Sequence, residues 1–330
     1  MAGKLSQGRS GQNPMESMDV KITAGMGHVM DYEALIKAGA DEIFCGFVPL
    51  SWSEKYGSVF PLNRREVFFV HVQLTSYEDM EILAAMMAYY KVPVVITLNS
   101  LSYRPDSYED VGDIVKKLAG LGFLEYILAD FGLALYLESL KLSLSFHFSG
   151  ELGEYNTESI VFLKEKLPSL KRIIFHRKNS LSQMEVCKRA YPDLDFEAFV
   201  LNEMCHYTGG FCNSLHCDEM DHLCMLPYRL VSRREETKFV DREAEWEEEG
   251  SDASGYDGCG LCGLYRMKAM GISHVKVVGR GKAAEALSED IRLCKKAISL
   301  LDGRSQAEFC GEIKRLQKDV CGANCYYRSL

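Results

Sequence analysis

Eight short runs of β-branched, aliphatic and aromatic residues punctuate the chain. VKITAG near Ile22, EIFCGF near Phe44, VPVVITLN near Val95 and LEYILADFG near Ile127 fall in the first half. LSLSFHFS near Phe146, KRIIFHR near Ile174, FEAFVLN near Phe199 and HVKVVGR near Val277 follow. Their apolarity is close to continuous, the pattern of parallel strands covered on both faces. Between most of them the apolar positions take helical spacing. Asp31 is placed to cap a helix through Ala34, Leu35 and Ala38, which Gly39 ends. Tyr77 to Tyr90 reads as a helix with Glu78, Asp79 and Glu81 in its first turn, where negative charge suits the helix dipole. Asp106 or Ser107 opens another through Ile114 and Leu118, stopped by Gly120 or Gly122. Ser180 and Gln183 have the spacing of a capping box before Met184 and Val186.

Eight strands alternating with helices count out an α/β fold of the TIM-like (β/α)₈ barrel kind, spanning residues 19–300. An open doubly wound sheet would want a phosphate-binding glycine fingerprint after its first strand, and TAGMGHV supplies only G-x-G. Residues 1–18, MAGKLSQGRSGQNPMESM, are polar and lack the apolar segment of a secretory signal. They read as a disordered leader, with Met15 or Met18 as alternative starts. Residues 301–330 read as a cysteine-containing C-terminal tail. The connection from Leu201 to His274 is far too long for a simple βα loop. It carries a cysteine-rich insertion, residues 204–270, between strands 7 and 8. Loops that follow strands lie at the C-terminal mouth of a barrel, where barrel enzymes do their chemistry.

Composition changes the picture in two ways. The net charge is −9, with its densest acidic run from Glu243 to Glu249, which gives no support to a large phosphate-binding surface such as an RNA partner would want. The basic stretch KRIIFHRK, Lys171 to Lys178, reads first as the solvated rim of a strand and second as an anion or RNA contact. No apolar run is long enough to cross a bilayer, and the cytoplasm is the expected compartment.

The twelve cysteines are the second departure. A long chain without an export signal is a poor disulfide scaffold, so metal ligation, redox chemistry or buried thiols are indicated. Cys187 and Cys294 sit in helical patterns and read as core. Half of the cysteines fall in the insertion: Cys205, Cys212, Cys217, Cys224, Cys259 and Cys262. Clustered thiolates mean zinc or iron–sulfur. Zinc favours two tight C-x₂-C knuckles, and only CGLC, Cys259 to Cys262, has that spacing. Iron–sulfur therefore comes first, zinc second and unliganded thiols third. A thioredoxin-type pair at CGLC lacks its usual βαβ context.

EAFVLNEMCHYTGGFC resembles the signature of peptidase family U32, the collagenase-like family, in which an E-x-F-V strand runs into C-x₂-Y-[ST]-G-x-C. Glu197, Phe199, Val200, Cys205, Tyr207, Thr208, Gly209 and Cys212 carry the match. LCGLYRMKAMGISHVKVVGR is similar to a later family segment through Leu261, Cys262, Gly271, Lys276, Gly279 and Arg280. KITAGMG, LIKAGADEIFCG, VITLN and LADFG agree more loosely, so the resemblance runs collinearly from about Val20 to Leu300. It implies a barrel whose four cysteines ligate a 4Fe–4S cluster. Carried over residue by residue, these are Cys205, Cys212, Cys262 and Cys224, the last preceding MLPYR. Cys217 is the alternative to Cys224, and Cys259 the alternative to Cys262. The chain departs from the family in a shortened gap between Cys212 and Cys224 and in lacking the "RSxNRGxCxQPC" run. Cys310, Cys321 and Cys325 near the C-terminus read as a second metal site or as free thiols on a flexible tail.

Strand ends deliver Cys45, Asn99, Asp130, His147, Ser149, His176, Arg177, Glu203 and Arg280 to the expected mouth. His147, His176, Asp130 and Arg280 are the catalytic candidates. The arginine suits a small anionic substrate or cosubstrate, and a histidine could move protons beside the cluster. No G-x-S-x-G elbow or H-E-x-x-H helix supports peptidase chemistry. The resemblance instead implies an iron–sulfur oxidoreductase or oxygen-independent hydroxylase acting on a small molecule or nucleobase. A peptidase, and a non-catalytic cluster protein serving a paralogue or electron-donor partner, are the alternatives.

Overall fold

A computed structural model describes residues 19–57, 60–64, 72–202, 258–317 and 325–327. Eight parallel strands form its centre: β1 (Lys21–Met26), β2 (Glu42–Phe47), β3 (Val94–Leu98), β4 (Glu125–Leu128), β5 (Ser145–Phe148), β6 (Leu170–Ile174), β7 (Asp195–Leu201) and β8 (His274–Val277). Each pairs with its successor, and β1 pairs with both β2 and β8, so the sheet closes on itself. The barrel expected from the sequence is present, strand for strand. A further two-residue strand, Gln73–Leu74, adds to the end of β2.

The helices are α1 (Tyr32–Ala38), α2 (Leu50–Tyr56), α3 (Tyr77–Tyr90), α4 (Tyr108–Gly120), α5 (Phe131–Ser139), α6 (Thr157–Lys166), α7 (Leu181–Ala190), α8 (Leu264–Met270), α9 (Ala284–Ser299) and α10 (Gln306–Leu316). None of them is long and apolar enough to cross a membrane. The α7 capping box is formed as its sequence predicts, with Ser180 accepting from the Gln183 amide and Gln183 from the Ser180 amide. Asp31 does not cap α1 with its side chain. A 3-10 turn, Val29–Asp31, precedes that helix, and His28 caps the turn instead by accepting from the Met30 amide. Likewise Ser107 precedes α4 without a side-chain cap, its hydroxyl donating back to Arg104 O.

Residues 203–257 lie outside the described residues, and with them Cys205, Cys212, Cys217 and Cys224. Their two stems are described and are tied together. The Asn202 amide donates to Gly258 O at 2.9 Å, the Gly260 amide donates to Val200 O at 2.7 Å, and Leu201 bridges Cys259 antiparallel. The segment thus leaves and re-enters the fold at one point, the C-terminal end of β7. Part of the expected tail is structured: α10 is capped by a Ser305–Glu308 box, and Tyr326 and Tyr327 are buried.

Candidate functional site

Strands β2, β6, β7 and β8 turn charged side chains into the barrel, because side chains alternate across a strand and those in register face the same way. Arg172 is 1% exposed. Its Nη1 donates to Glu42 Oε1 at 2.6 Å and Glu197 Oε2 at 2.8 Å, and its Nη2 to Glu42 Oε2 at 2.9 Å and His274 Nε2 at 2.8 Å. Lys276 Nζ donates to Glu197 Oε1 at 2.7 Å and lies 3.8 Å from the centre of the Phe44 ring. Two cations thus face two carboxylates in the interior. Burial alone would raise both carboxyls, and Arg172 and Lys276 override it and hold them below the usual range. Burial pushes Lys276 down against the opposing pull of Glu197, and takes His274 down to about 4. His274 accepts from Arg172 at Nε2, so its proton sits on Nδ1 and points at Ser273 Oγ, 2.9 Å away. The solvated-rim reading of KRIIFHRK is corrected at two positions. Arg172 faces the interior by strand alternation, and Arg177, 6% exposed, is drawn in by a buried carboxylate.

At the C-terminal mouth, Arg280 follows β8 and reaches back inside, 7% exposed, donating to Thr97 Oγ1 on β3 at 3.0 Å. Gly46 of β2 makes room for it: a Cβ there would meet Gln73 Oε1 at 1.5 Å and Arg280 Nη1 at 3.0 Å. Across the mouth, Glu151 follows β5 and is paired with Arg177 at 2.8 Å and Arg64 at 3.4 Å. Burial opposes its charge, and the two guanidinium groups hold the carboxyl far below the usual range. Arg177 also stacks 4.0 Å from the centre of the Phe199 ring.

His176 follows β6 and is 1% exposed. Its Nδ1 accepts from the Lys178 amide at 3.1 Å, so the neutral ring carries its proton on Nε2. Among the described residues that buried N–H has no hydrogen-bond acceptor. Burial, reinforced by Arg177, keeps the ring neutral against the pull of Glu151.

Asp130 stands at the same mouth and is held by two backbone amides. Its Oδ1 accepts from the Leu133 amide at 2.9 Å to cap α5, and its Oδ2 accepts from the Tyr103 amide at 2.7 Å. These two bonds fix its position at the mouth. His147 does not join the mouth. It faces the interior from β5, but its Nε2 lies 3.0 Å from Glu125, the first residue of β4, at the barrel's opposite end. Burial and then Arg172 lower its pKa. The single pocket expected for His147, His176 and Arg280 is therefore not formed by all three: His147 turns to the far end, while His176 and Arg280 follow strand ends at the mouth. The sequence alone did not expose the Glu42–Arg172 pair or Glu151. The one available signal was an arginine and a glutamate sitting inside otherwise apolar strands.

Of the expected cluster ligands only Cys262 is described, half-buried on the turn Leu261–Gly263, with Cys259 also half-buried three residues before it. Two half-buried cysteines beside the point where residues 203–257 depart and return are soft donors of the kind such a metal group takes. Cys310 donates to Cys262 O at 4.0 Å, and Cys325 bridges Cys259. Cys321 lies outside the described residues. Among the described residues no group of three metal-ligating side chains is assembled. Cys45, Cys187 and Cys294 are buried, and burial pushes the Cys45 and Cys294 thiols up to about 12.

A family model described as peptidase family U32 matches residues 27–327. The tRNA hydroxylation protein P of Helicobacter pylori (strain J99) is 22% identical over 290 residues, covering 84% of this chain. The chain spans 64% of that relative's length. The solved U32 peptidase Mk0906 superposes with a TM-score of 0.48 at 9% identity, over 85% of this chain and 99% of that one. An N-acetylneuraminate lyase from Aliivibrio salmonicida superposes with a TM-score of 0.49 at 12% identity, over 92% and 81% of the two chains.

Proposed function

The chain belongs to peptidase family U32, and within that family we propose that it is an iron–sulfur oxidoreductase that hydroxylates a nucleobase of RNA, or a small molecule, without oxygen. One observation carries the reading of the mouth. Among the described residues a buried imidazole N–H, His176 Nε2–H, has no acceptor at the same end of the barrel to which Arg280 brings a guanidinium. Leaving a buried donor unsatisfied costs about 1–3 kcal/mol, so a ligand that supplies an acceptor oxygen there recovers that cost. Arg280 at a strand end of the mouth supports a small anionic substrate or cosubstrate despite the net charge of −9. The likeness to a tRNA hydroxylation protein is what supports RNA as the substrate class.

Cys205, Cys212, Cys224 and Cys262 would hold the 4Fe–4S cluster. When bound, such a cluster supplies one-electron chemistry at the mouth. This chain's own residues do the rest: Arg280 anchors the anion, His176 donates its Nε2 proton in a hydrogen bond to the ligand's oxygen, and Asp130 keeps the loop at Tyr103 and the start of α5 in place. Peptidase chemistry finds no support in the geometry. Among the described residues neither His147 nor His176 is hydrogen-bonded to a hydroxyl or thiol, and Cys45 is held as a neutral thiol by burial. Adding a water-derived oxygen at a C–H position releases two electrons and two protons, so a paralogue or small electron carrier would have to accept those electrons.

The test starts with anaerobic purification and a count of iron and acid-labile sulfide. Transfer RNA from cells lacking the chain is then compared, nucleoside by nucleoside, with RNA from complemented cells. A nucleoside carrying one added oxygen should disappear and return with the wild type. It should return only weakly with Arg280→Ala, with iron content unchanged. Loss of a charge-assisted bond of this kind weakens binding by about 10- to 100-fold. An iron-free protein whose loss alters neither a nucleoside nor a small-molecule hydroxylation would sink the proposal.

A further inference from the structure

The C-terminal Cys325, Tyr326 and Tyr327 are seated on the CGLC segment by contacts that involve both backbone and side chain. Cys325 forms a parallel backbone bridge with Cys259, and the Tyr326 amide donates to Cys259 O at 2.9 Å. The Tyr327 hydroxyl donates to Phe199 O at 2.8 Å, and the Tyr326 hydroxyl donates to Asn202 O. Both carbonyls belong to the end of β7, from which residues 203–257 depart. The seat is made of glycine. A Cβ on Gly258 would lie 2.3 Å from the Tyr326 ring, and one on Gly260 or Gly263 would lie 2.7 Å from the Tyr327 ring.

Bridged residues on neighbouring strands stand about 4.8 Å apart, with side chains leaving on the same side. That spacing falls inside the window of about 4.4–6.8 Å between the Cα atoms of disulfide partners. Both residues are only half-buried, so neither is sealed in the core as Cys45 and Cys294 are.

We propose that Cys259 and Cys325 are a dithiol that closes to a reversible disulfide, fastening the C-terminal segment to the end of β7 beside the barrel mouth. The oxidant is a small-molecule disulfide. One thiolate attacks it and expels one thiol, leaving a mixed disulfide; the second cysteine then attacks the protein-bound sulfur and expels the other thiol. The two cysteines lose two electrons and two protons, and the oxidant is reduced to two thiols. The pairing also divides the work within CGLC, assigning Cys259 to the latch and leaving Cys262 to the cluster of the reading above. The latch itself does not depend on a cluster being bound.

The full chain is treated with oxidised glutathione, alkylated, digested, and its linked peptides sequenced by fragmentation. A Cys259–Cys325 bond should form, the chain losing two hydrogen atoms, and dithiothreitol should reverse it. On oxidation, hydrogen exchange at the Tyr326 amide should slow in the wild type but not in Cys325→Ser. A bond from Cys325 to Cys262 or Cys321, or full alkylation of both Cys259 and Cys325 after oxidation, overturns the pairing. So does loss of iron in Cys259→Ser to the level of Cys262→Ser, which would make Cys259 a cluster ligand. Iron absent from the wild type would instead overturn the cluster and leave the disulfide result standing.

Discussion

His176 shows how a single ring can be read for its missing partner. Its Nδ1 is occupied by the Lys178 amide and, among the described residues, its Nε2–H faces no acceptor, so in the proposed function the residue serves local structure with one nitrogen and the ligand with the other. The two roles separate in His176→Asn, whose amide oxygen can still accept from the Lys178 amide but has no group at the Nε2 position. Thermal stability should change little, while affinity for the anionic ligand falls by about 10-fold or more, the worth of a hydrogen bond to a charged group. A large stability loss with unchanged ligand affinity would assign His176 to the fold alone. At Cys45 the expectation is inertness. With burial holding the thiol up to about 12, iodoacetamide near neutral pH should leave it unlabelled in the folded chain and label it after denaturation.

The strands carry a different kind of dependence, because their interior charges compensate one another in pairs. Arg172 neutralises Glu42 while Lys276 neutralises Glu197, and all four side chains are at least 94% buried. Removing one partner of a buried pair strands the other, at a cost of about 3–5 kcal/mol. Arg172→Met should show that loss in urea unfolding. Adding Glu42→Gln should restore a substantial part of it, since Glu197 keeps Lys276. A double variant less stable than the single would mean that the layer does not divide into pairs. The glycine seat at the C-terminus makes a second element-scale case. Gly258→Ala puts a methyl group 2.3 Å from the Tyr326 ring, so it should release Tyr326 and Tyr327 to exchange and proteolysis while leaving the far-ultraviolet spectrum of the barrel intact.

Across the whole molecule the buried histidines set the response to acid. His147, His176 and His274 all have pKa values lowered by burial, His274 from the ordinary 6.5 to about 4. Unfolding returns each to its ordinary value, so between those limits the unfolded chain binds more protons and stability falls as pH falls. The contribution is fully present above pH 6.5 and lost as pH drops toward 4. Below the ordinary carboxylate value of 4.5, Glu42, Glu151 and Glu197 begin to add their own loss, since each is held lower in the fold. Urea midpoints should therefore decline already from pH 6.5, and His274→Gln, which keeps an acceptor for Arg172, should flatten that decline between 6.5 and 4. A wild-type midpoint constant down to pH 4.5 would show that these rings are not buried in neutral form.

What the chain settles by itself is the barrel. Eight apolar runs separated by helical spacing leave few other ways to cover both faces of every strand, and all eight appear where the pattern puts them. The insertion point after β7, the Ser180–Gln183 cap and the inward Arg280 were legible for the same reason, since each follows from local spacing or from position at a strand end. Which end of the barrel a side chain serves is decided only when strands are packed. His147 and His176 both follow apolar strand residues, yet one meets Glu125 from the far end and the other remains at the mouth. Asp130 is fixed at the mouth by two backbone amides, one of them 27 residues away in the chain. Arg172 looked solvated and is the most enclosed cation of the barrel because Glu42, 130 residues earlier, waits across the interior. Cys325 meets Cys259 only through the fold. Local spacing dictates which face of its own element a residue occupies, whereas its partner on a distant strand exists only once the barrel has closed.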